Sequence, residues 1–344
     1  MRSTFTSLLE PIFNSHNNLS ILIDIIITQN KKRTTVLRKN PNLFLSTGAV
    51  FILTIVILLY PSECLLYACN GLTLWFEKMI PTLFPFMVLS GIMIRMDLTD
   101  SFVKLVKPFF TPLFRVNGNC LYAIITGFLC GFPMGAVVTA QLYDRKMITK
   151  SEAEYLLSFC NNIGPVYFIS FALPTMGVQN KVMPFLFGMY GIPLLYGIFL
   201  RHTLFQNHLR AHYEQAEKNP PVTSLLKAMD ESVMSSLTGI TKLGGYMIIF
   251  NLLNVFPALF FRKNETAKAV VGTFLEITGG LTSLGDRAPV VSLIMLSFGG
   301  LSCIAQTNSS LQGTDLSLKK YVIHKMILTV LCAGYYIFLT LVSF

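Results

Sequence analysis

The sequence has few charged residues. Charged side chains make up 13% of its 344 residues, whereas 53% are hydrophobic, and the mean hydropathy is +0.58. A soluble domain carries about 25% charged residues, so this composition argues against a soluble protein. Intrinsic disorder is excluded too, because it requires low hydrophobicity. The length suffices for about eight to ten membrane segments of ~20 residues, so we predict an all-α polytopic membrane protein.

The sequence also lacks the motifs of common catalytic and nucleotide-binding sites. It contains no Walker A, GxSxG or HExxH motif, and its seven cysteines show no CxxC spacing. We therefore predict that the protein is not an enzyme and has no cofactor and no metal site. The net charge of +10 is better explained by basic loops beside anionic lipid than by nucleic acid as a partner.

Composition divides the chain into four parts. Residues 1–42 end in a basic cluster, which predicts an N-terminal segment that is cytoplasmic or lies at the membrane interface. Residues 43–200 and 233–344 are two apolar halves, and residues 201–232 are a polar, basic connector between them. Each half contains two apolar segments that polar, glycine or proline residues interrupt. Gly244–Gly245 predicts an interruption within residues 233–261, and Lys319, Lys320 and Lys325 lie at the entrance of the predicted last span.

These interruptions are the most informative feature of the sequence. In hydrocarbon every backbone N–H and C=O needs a partner, so a broken helix is tolerated where it faces protein or a wet cavity. In secondary transporters, breaks at matching places in two halves indicate the substrate site. The first half has such breaks at Gly131–Ala136 and Asn161–Pro165, and the second half at Glu276–Gly280 and Gly299–Ser310.

The first break has the sequence GFPMGA. Gly131 and Gly135 allow backbone conformations that other residues avoid, and Pro133 removes a hydrogen-bond donor. Such a tip can join two half-helices into a re-entrant hairpin, and the second of them would direct its N-terminus toward an anion. A tight loop between two full spans explains the motif equally well.

The second break places two amides within an apolar stretch. Asn161 and Asn162 are followed by Gly164 and Pro165, which suggests an unwound segment at mid-membrane depth. Amides there can donate to a carboxylate or accept from a sugar or cation. Hydrogen bonding between helices is the alternative, but the adjacent Gly-Pro pair favours binding.

In the second half, Glu276 has apolar neighbours on both sides. Carboxylates within a membrane are rare and are functional candidates, so Glu276 is our candidate for carrying a coupling proton or for pairing with a cation. The other candidate substrate-binding residues of this half are Thr278, Gly279, Gly299, Gly300, Ser302 and Gln306.

Four motifs together resemble a known family. They are GFPMGA, EAEYLLSFCNNIGPVYF, FLEITGG and SFGGLSCIAQTNSSLQGTDLSLKKY, and the resemblance to the YlbJ-like family of sporulation integral membrane proteins spans roughly residues 75–344. That family carries a Gate domain for nucleoside recognition. The resemblance implies a two-fold internal repeat of the concentrative-nucleoside-transporter kind, with a hairpin and a broken helix in each half.

The resemblance further implies that the protein moves dipicolinate, a flat dianion, across the outer forespore membrane of a spore-forming bacterium. The amides, the helix N-termini and a ring such as Phe132 or Phe168 could hold such a ligand. A nucleoside-type transporter and a membrane scaffold of a sporulation complex are the alternatives. The coupling ion (H⁺ or Na⁺), self-association and partners among sporulation membrane proteins stay open.

Overall fold

The computed structural model describes residues 41–178, 182–205 and 224–343. Residues up to Cys64 form one compact unit and those from Leu65 onward form a second. Nearly all of the predicted N-terminal segment and residues 206–223 of the predicted connector lie outside the described residues. The described part of the chain is helical and contains no strand, in agreement with the predicted all-α class.

The helices are short and numerous compared with those of a simple bundle. In chain order they are α1 (Pro41–Leu59), α2 (Pro61–Arg95), α3 (Thr99–Val103), α4 (Lys107–Phe114), α5 (Gly118–Cys130), α6 (Met134–Asp144), α7 (Lys150–Leu157), α8 (Pro165–Thr175), α9 (Val182–His202), α10 (Leu225–Leu252), α11 (Val255–Phe260), α12 (Glu265–Leu275), α13 (Ile277–Leu284), α14 (Pro289–Phe298), α15 (Gly300–Leu311) and α16 (Leu318–Ser343).

Five stretches are long and apolar enough to cross a membrane: α2, α9, α10 with α11, α14 with α15, and α16. The pair α4 and α5, bent by 100°, makes a sixth if it counts as one span, and α8 and residues 44–59 of α1 are shorter apolar helices. The predicted eight to ten segments included broken helices of this kind. The described residues therefore form a polytopic membrane protein.

The two halves repeat one order of elements. A long helix (α2 or α10) precedes a pair of half-length helices (α5–α6 or α12–α13), a broken helix (α7–α8 or α14–α15) and a final span (α9 or α16). With 13 and 11 residues, α5 and α6 are about 20 Å long or less and too short for a hydrocarbon core of about 30 Å. The GFPMGA motif is therefore the tip of a re-entrant hairpin.

The hairpins enter from opposite sides. The amide of Asn119 at the start of α5 donates to the carbonyl of Met147, just after α6, at 3.2 Å, so both ends of the first hairpin lie together. Basic residues gather on this side of the protein, which we call the basic face. They are Arg95, Lys104, Lys107, Arg115, Arg145, Lys146, Lys150, Arg201, Lys227, Lys319 and Lys320. The turns at the opposite ends hold Arg262, Lys263, Lys268 and Arg287.

Two expectations about the second half need correction. The predicted interruption at Gly244–Gly245 is a regular part of α10. Gly244 instead makes room for the ring of Trp75 on α2, whose indole N–H donates to the carbonyl of Ile240 at 2.8 Å. Residues 225–232, which we assigned to the connector, form the start of α10, because the apolar face of that helix already packs against α2 there.

Candidate functional site

The two breaks of the first half lie against each other. Gly131 has a φ of +86°, a left-handed conformation that glycine adopts readily, and a side chain there would overlap the backbone of Gly164. A side chain at Gly135 would overlap the carbonyl of Cys160. These glycines therefore let the hairpin tip contact the segment between α7 and α8 through backbone atoms.

A buried lysine from the last span reaches this contact. Lys325 on α16 is 2% exposed, and its ammonium group donates to the carbonyl of Asn161 at 2.9 Å and to Oδ1 of Asn162 at 3.3 Å. It also lies 4.5 Å from the ring centroid of Phe132 at the hairpin tip, within cation–π range. The cation thus joins the final span of the second half to both breaks of the first.

The side chain of Asn161 also connects the two halves. Its Nδ2 donates to Oγ1 of Thr307 at 2.9 Å and to the hydroxyl of Tyr321 at 3.2 Å. Asn162 donates to the carbonyl of Phe159 at 2.6 Å. Both side-chain NH2 groups are therefore engaged in internal hydrogen bonds, and Oδ1 of Asn162 accepts from Lys325. Oδ1 of Asn161 is buried without a hydrogen-bond partner in the described structure.

Glu276 caps the helix that follows the third break. Its Oε2 accepts from the backbone N–H of Gly279 at 2.7 Å and from the amide of Asn251 at 3.2 Å. The carboxylate is 2% exposed and has no ion pair among the described residues. The N-terminus of α13 is consequently occupied by this carboxylate and is not free for an anion.

The fourth break lies at Gly299 and Gly300, which have φ values of +90° and +75°. A side chain at Gly299 would come within 2.8 Å of the ring of Phe132, so the fourth break contacts the first. The residues that follow are helical: α15 runs from Gly300 to Leu311. Ser302 is fully buried and accepts a hydrogen bond from the amide of Gln306 at 2.9 Å.

A cavity of about 300 Å³ lies where the breaks meet, and we call it the central cavity. Its wall includes Phe132, Gly164, Tyr167, Phe171, Glu276, Thr278, Cys303, Gln306 and, from the middle of α2, Glu77 and Lys78. The hydroxyl of Tyr167 is buried there without a hydrogen-bond partner in the described structure. The wall is thus mainly apolar, with four aromatic rings and a few polar groups, as small-molecule sites are.

A second cavity, of about 500 Å³, lies toward the basic face, and we call it the basic-side cavity. Pro133 at the hairpin tip lines it, together with Lys242, Gln141 and several hydroxyl side chains. Gln306 and Leu243 line both cavities. These two side chains therefore stand between the basic-side cavity and the central cavity.

The predicted site residues fall into three groups. Gly164, Glu276, Thr278 and Gln306 line the central cavity, and Pro133 lines the basic-side cavity. Asn161, Asn162 and Ser302 form hydrogen bonds behind the wall. Gly131, Gly135, Pro165, Gly279, Gly299 and Gly300 shape the breaks and their close packing. Of the two rings we named, Phe132 lines the central cavity, whereas Phe168 is fully buried in a core cluster against which Phe132 packs.

Sequence reasoning missed Lys325 and Tyr167. We placed Lys325 at the entrance of the last span, but α16 begins at Leu318, so Lys325 lies two turns inside. A charged residue within an apolar run is itself a signal for a functional site. Tyr167 carries no such signal, because only its position next to the cavity distinguishes it from other tyrosines.

The fold and these breaks define a multi-pass, all-helical membrane protein with internally repeated, interrupted helices. Residues 76–193 match the family described as Gate, nucleoside recognition. The chain is 28% identical to the sporulation integral membrane protein YlbJ of Bacillus subtilis (strain 168), over 83% of this chain and 80% of the relative. Both findings confirm the resemblance to the YlbJ-like family.

The descriptions of this family and of this relative indicate the class of protein and its location in a membrane. They describe an integral membrane protein of sporulation and a recognition domain, and neither name describes a catalytic activity. No solved structure matches the chain.

Proposed function

We propose that the protein is a transporter that moves dipicolinate, or a similar small anionic or aromatic solute, across the outer forespore membrane. The observation that carries the proposal is the central cavity, where breaks from both halves meet at one point. Paired breaks of this kind mark substrate sites in secondary transporters. A scaffold would have no need of interrupted helices around a cavity.

A ring face and two nearby cations support an aromatic anion as the substrate, whereas the carboxylates of Glu77 and Glu276 on the same wall oppose it. Phe132 offers a ring face on the cavity wall, and Lys325 lies behind that ring. Lys78 supplies a second cation at the wall. Because Glu276 occupies one helix N-terminus, the remaining positive ends at the breaks are those of α6, α8 and α15.

The two cavities support movement through the protein. The basic face holds most of the lysines and arginines of the described loops, so the positive-inside rule assigns it to the cytoplasm. In the outer forespore membrane this is the mother-cell side. A solute would enter the basic-side cavity from there and would pass Gln306 and Leu243 to reach the central cavity.

A nucleoside is the second candidate substrate. Glu276 and the hydroxyl of Tyr167 line the central cavity, and a carboxylate accepts hydrogen bonds from sugar hydroxyls. The Gate match is described as nucleoside recognition. Uptake of a nucleoside would depend on Glu276 more than on Lys325.

Uptake into liposomes tests the proposal. We would reconstitute the purified protein and measure uptake of labelled dipicolinate with uridine as competitor. The double variant Asn161→Ala/Asn162→Ala removes the bond of Asn162 to Lys325 and the bonds of Asn161 to Thr307 and Tyr321. Lys319→Ala, at an exposed position outside the cavities, is the control. We expect saturable uptake that uridine does not inhibit, that the control retains and that the double variant loses while remaining folded.

Two other outcomes would contradict this proposal. Inhibition of dipicolinate uptake by uridine would favour a nucleoside as the substrate. Absence of flux for both solutes from folded protein would contradict transport and would favour the scaffold.

A further inference from the structure

The hydroxyl of Tyr167 is a buried hydrogen-bond donor at the wall of the central cavity. Seven buried side-chain oxygens of the described residues have no hydrogen-bond partner, and of these seven only the Tyr167 hydroxyl belongs to a residue that lines this cavity. Buried polar groups are nearly always hydrogen-bonded, and a phenol has one proton to donate. A donor in this position therefore indicates a partner within the cavity.

The second break determines where this side chain lies. α8 begins at Pro165, directly after the extended backbone of Gly164, so Tyr167 lies in the first turn of the helix. A proline at the first helical position has a φ that suits the helix and needs no N–H partner. The ring of Tyr167 packs against that of Phe171 one turn later, with the centroids 5.0 Å apart, and both residues line the central cavity. The helix itself thus holds the ring at the wall.

Polar groups of the second half lie near this hydroxyl. The hydroxyl of Thr278 and the carboxylate of Glu276 are close to it, but neither is in hydrogen-bonding geometry with it. The carboxylate instead accepts from the N–H of Gly279 and from the amide of Asn251. Its position at the N-terminus of α13 partly balances its charge, which reduces its repulsion of an anion in the cavity. The proton of Tyr167 is therefore available to a solute that binds there.

We propose that the hydroxyl of Tyr167 binds the substrate in the central cavity by donating a hydrogen bond to a carboxylate oxygen of dipicolinate or of a similar aromatic acid. The inference rests on the proposed transport function and names a residue that determines its specificity. A bond from a hydroxyl to a carboxylate is charge-assisted and stronger than one to a neutral oxygen. Phe132 and Phe171 on the same wall offer ring faces for the apolar part of such a solute.

Thermal unfolding of the purified full-length protein in detergent, with increasing dipicolinate, tests binding without transport. A ligand that binds the folded state raises its Tm, so we expect dipicolinate to raise the Tm of the wild type. Tyr167→Phe removes the hydroxyl alone. Its Tm without ligand should not fall, because the hydroxyl has no protein partner to lose. The dipicolinate concentration needed for a given rise in Tm should increase at least about tenfold, because a bond to a charged group is lost.

Tyr190→Phe is the matched control. The hydroxyl of Tyr190 is also buried without a hydrogen-bond partner in the described structure, but this residue lines neither the central cavity nor the basic-side cavity. The control should therefore respond to dipicolinate as the wild type does. This comparison separates loss of a substrate contact from any general effect of removing a buried hydroxyl.

An equal response of Tyr167→Phe and the wild type to dipicolinate would overturn the inference and leave the proposed function standing. A lower Tm of Tyr167→Phe without ligand, or a weaker response that Tyr190→Phe shares, would assign the hydroxyl a structural role and would overturn it too. A wild type that uridine stabilises and dipicolinate does not would contradict dipicolinate as the substrate and, with it, the bond to a carboxylate.

Discussion

The ammonium group of Lys325 lies 2.9 Å from the backbone carbonyl of Asn161. These residues are 164 positions apart in the chain, in the last span and in the first unwound segment. Because an unwound segment leaves carbonyl groups without helical partners, the lysine replaces hydrogen bonds that the helix cannot supply. The same cation supplies positive charge beside the central cavity.

Replacement of this lysine tests both roles. Lys325→Met retains most of the side-chain volume but leaves the carbonyl of Asn161 without its donor, which costs about 1–3 kcal/mol for a buried group. We therefore expect a lower Tm and a marked loss of dipicolinate uptake. Lys319→Met, at an exposed position of the same helix, is the matched control. Uptake and Tm at wild-type levels in Lys325→Met would show that the cation has neither role.

The close contact between the hairpin tip and the unwound segment predicts a second effect. In Gly135→Ala the new methyl group would overlap the carbonyl of Cys160, and overpacking of this kind costs about 1–3 kcal/mol. Gly245→Ala is the control, because its methyl group would meet no atom within 4 Å. We expect thermal unfolding to show a lower Tm for Gly135→Ala and an unchanged Tm for Gly245→Ala. Equal effects would contradict the backbone contact.

An exposed ion pair on the basic face predicts a pH dependence. Hydrogen bonds from Lys150 and then from Tyr143 lower the pKa of Asp315 below its ordinary value of 3.8, and the pKa of Lys150 is raised in turn. A carboxyl group with a lowered pKa stabilises the fold above its ordinary pKa and loses this effect as the pH falls through the lowered value.

We therefore expect Asp315→Asn to lower the Tm slightly at pH 6 and to have a smaller effect as the pH falls below 3.8. Because both partners are exposed, added salt should reduce the difference at pH 6. Thermal unfolding of the wild type and of Asp315→Asn over this pH range measures the difference in Tm. A difference that persists at low pH would mean that the ion pair is not its source.

The assignment of the basic face to the cytoplasm predicts which positions can be labelled from which side. Ser235 lines the basic-side cavity, Ser283 lies near the end of α13, and both are exposed. In a Cys69→Ser background expressed in the plasma membrane of non-sporulating cells, an impermeant maleimide added outside should label Ser283→Cys at once and Ser235→Cys after permeabilisation. The reverse pattern would invert the orientation.

Much of the architecture could be predicted from the sequence. Low charge and long apolar stretches determine a membrane protein because charges are costly in hydrocarbon. Glycine, proline and paired asparagines mark where helices end, since these effects are local. The breaks before Met134 and Pro165 follow directly from such residues, whereas the break before Ile277 falls at Glu276 and the glycines that predicted it lie inside α13. By contrast, Gly244 shows that a glycine in an apolar run can equally serve helix packing.

Tertiary structure alone decided which of these residues face a cavity. Asn161 and Glu276 are both polar residues in apolar surroundings, yet the first bonds to other helices and the second lines the central cavity. The role of Lys325 depends on residues far away in the chain. The reason is physical: the direction of a side chain in a broken helix is set by whatever packs against it, and those contacts come from the other half of the protein.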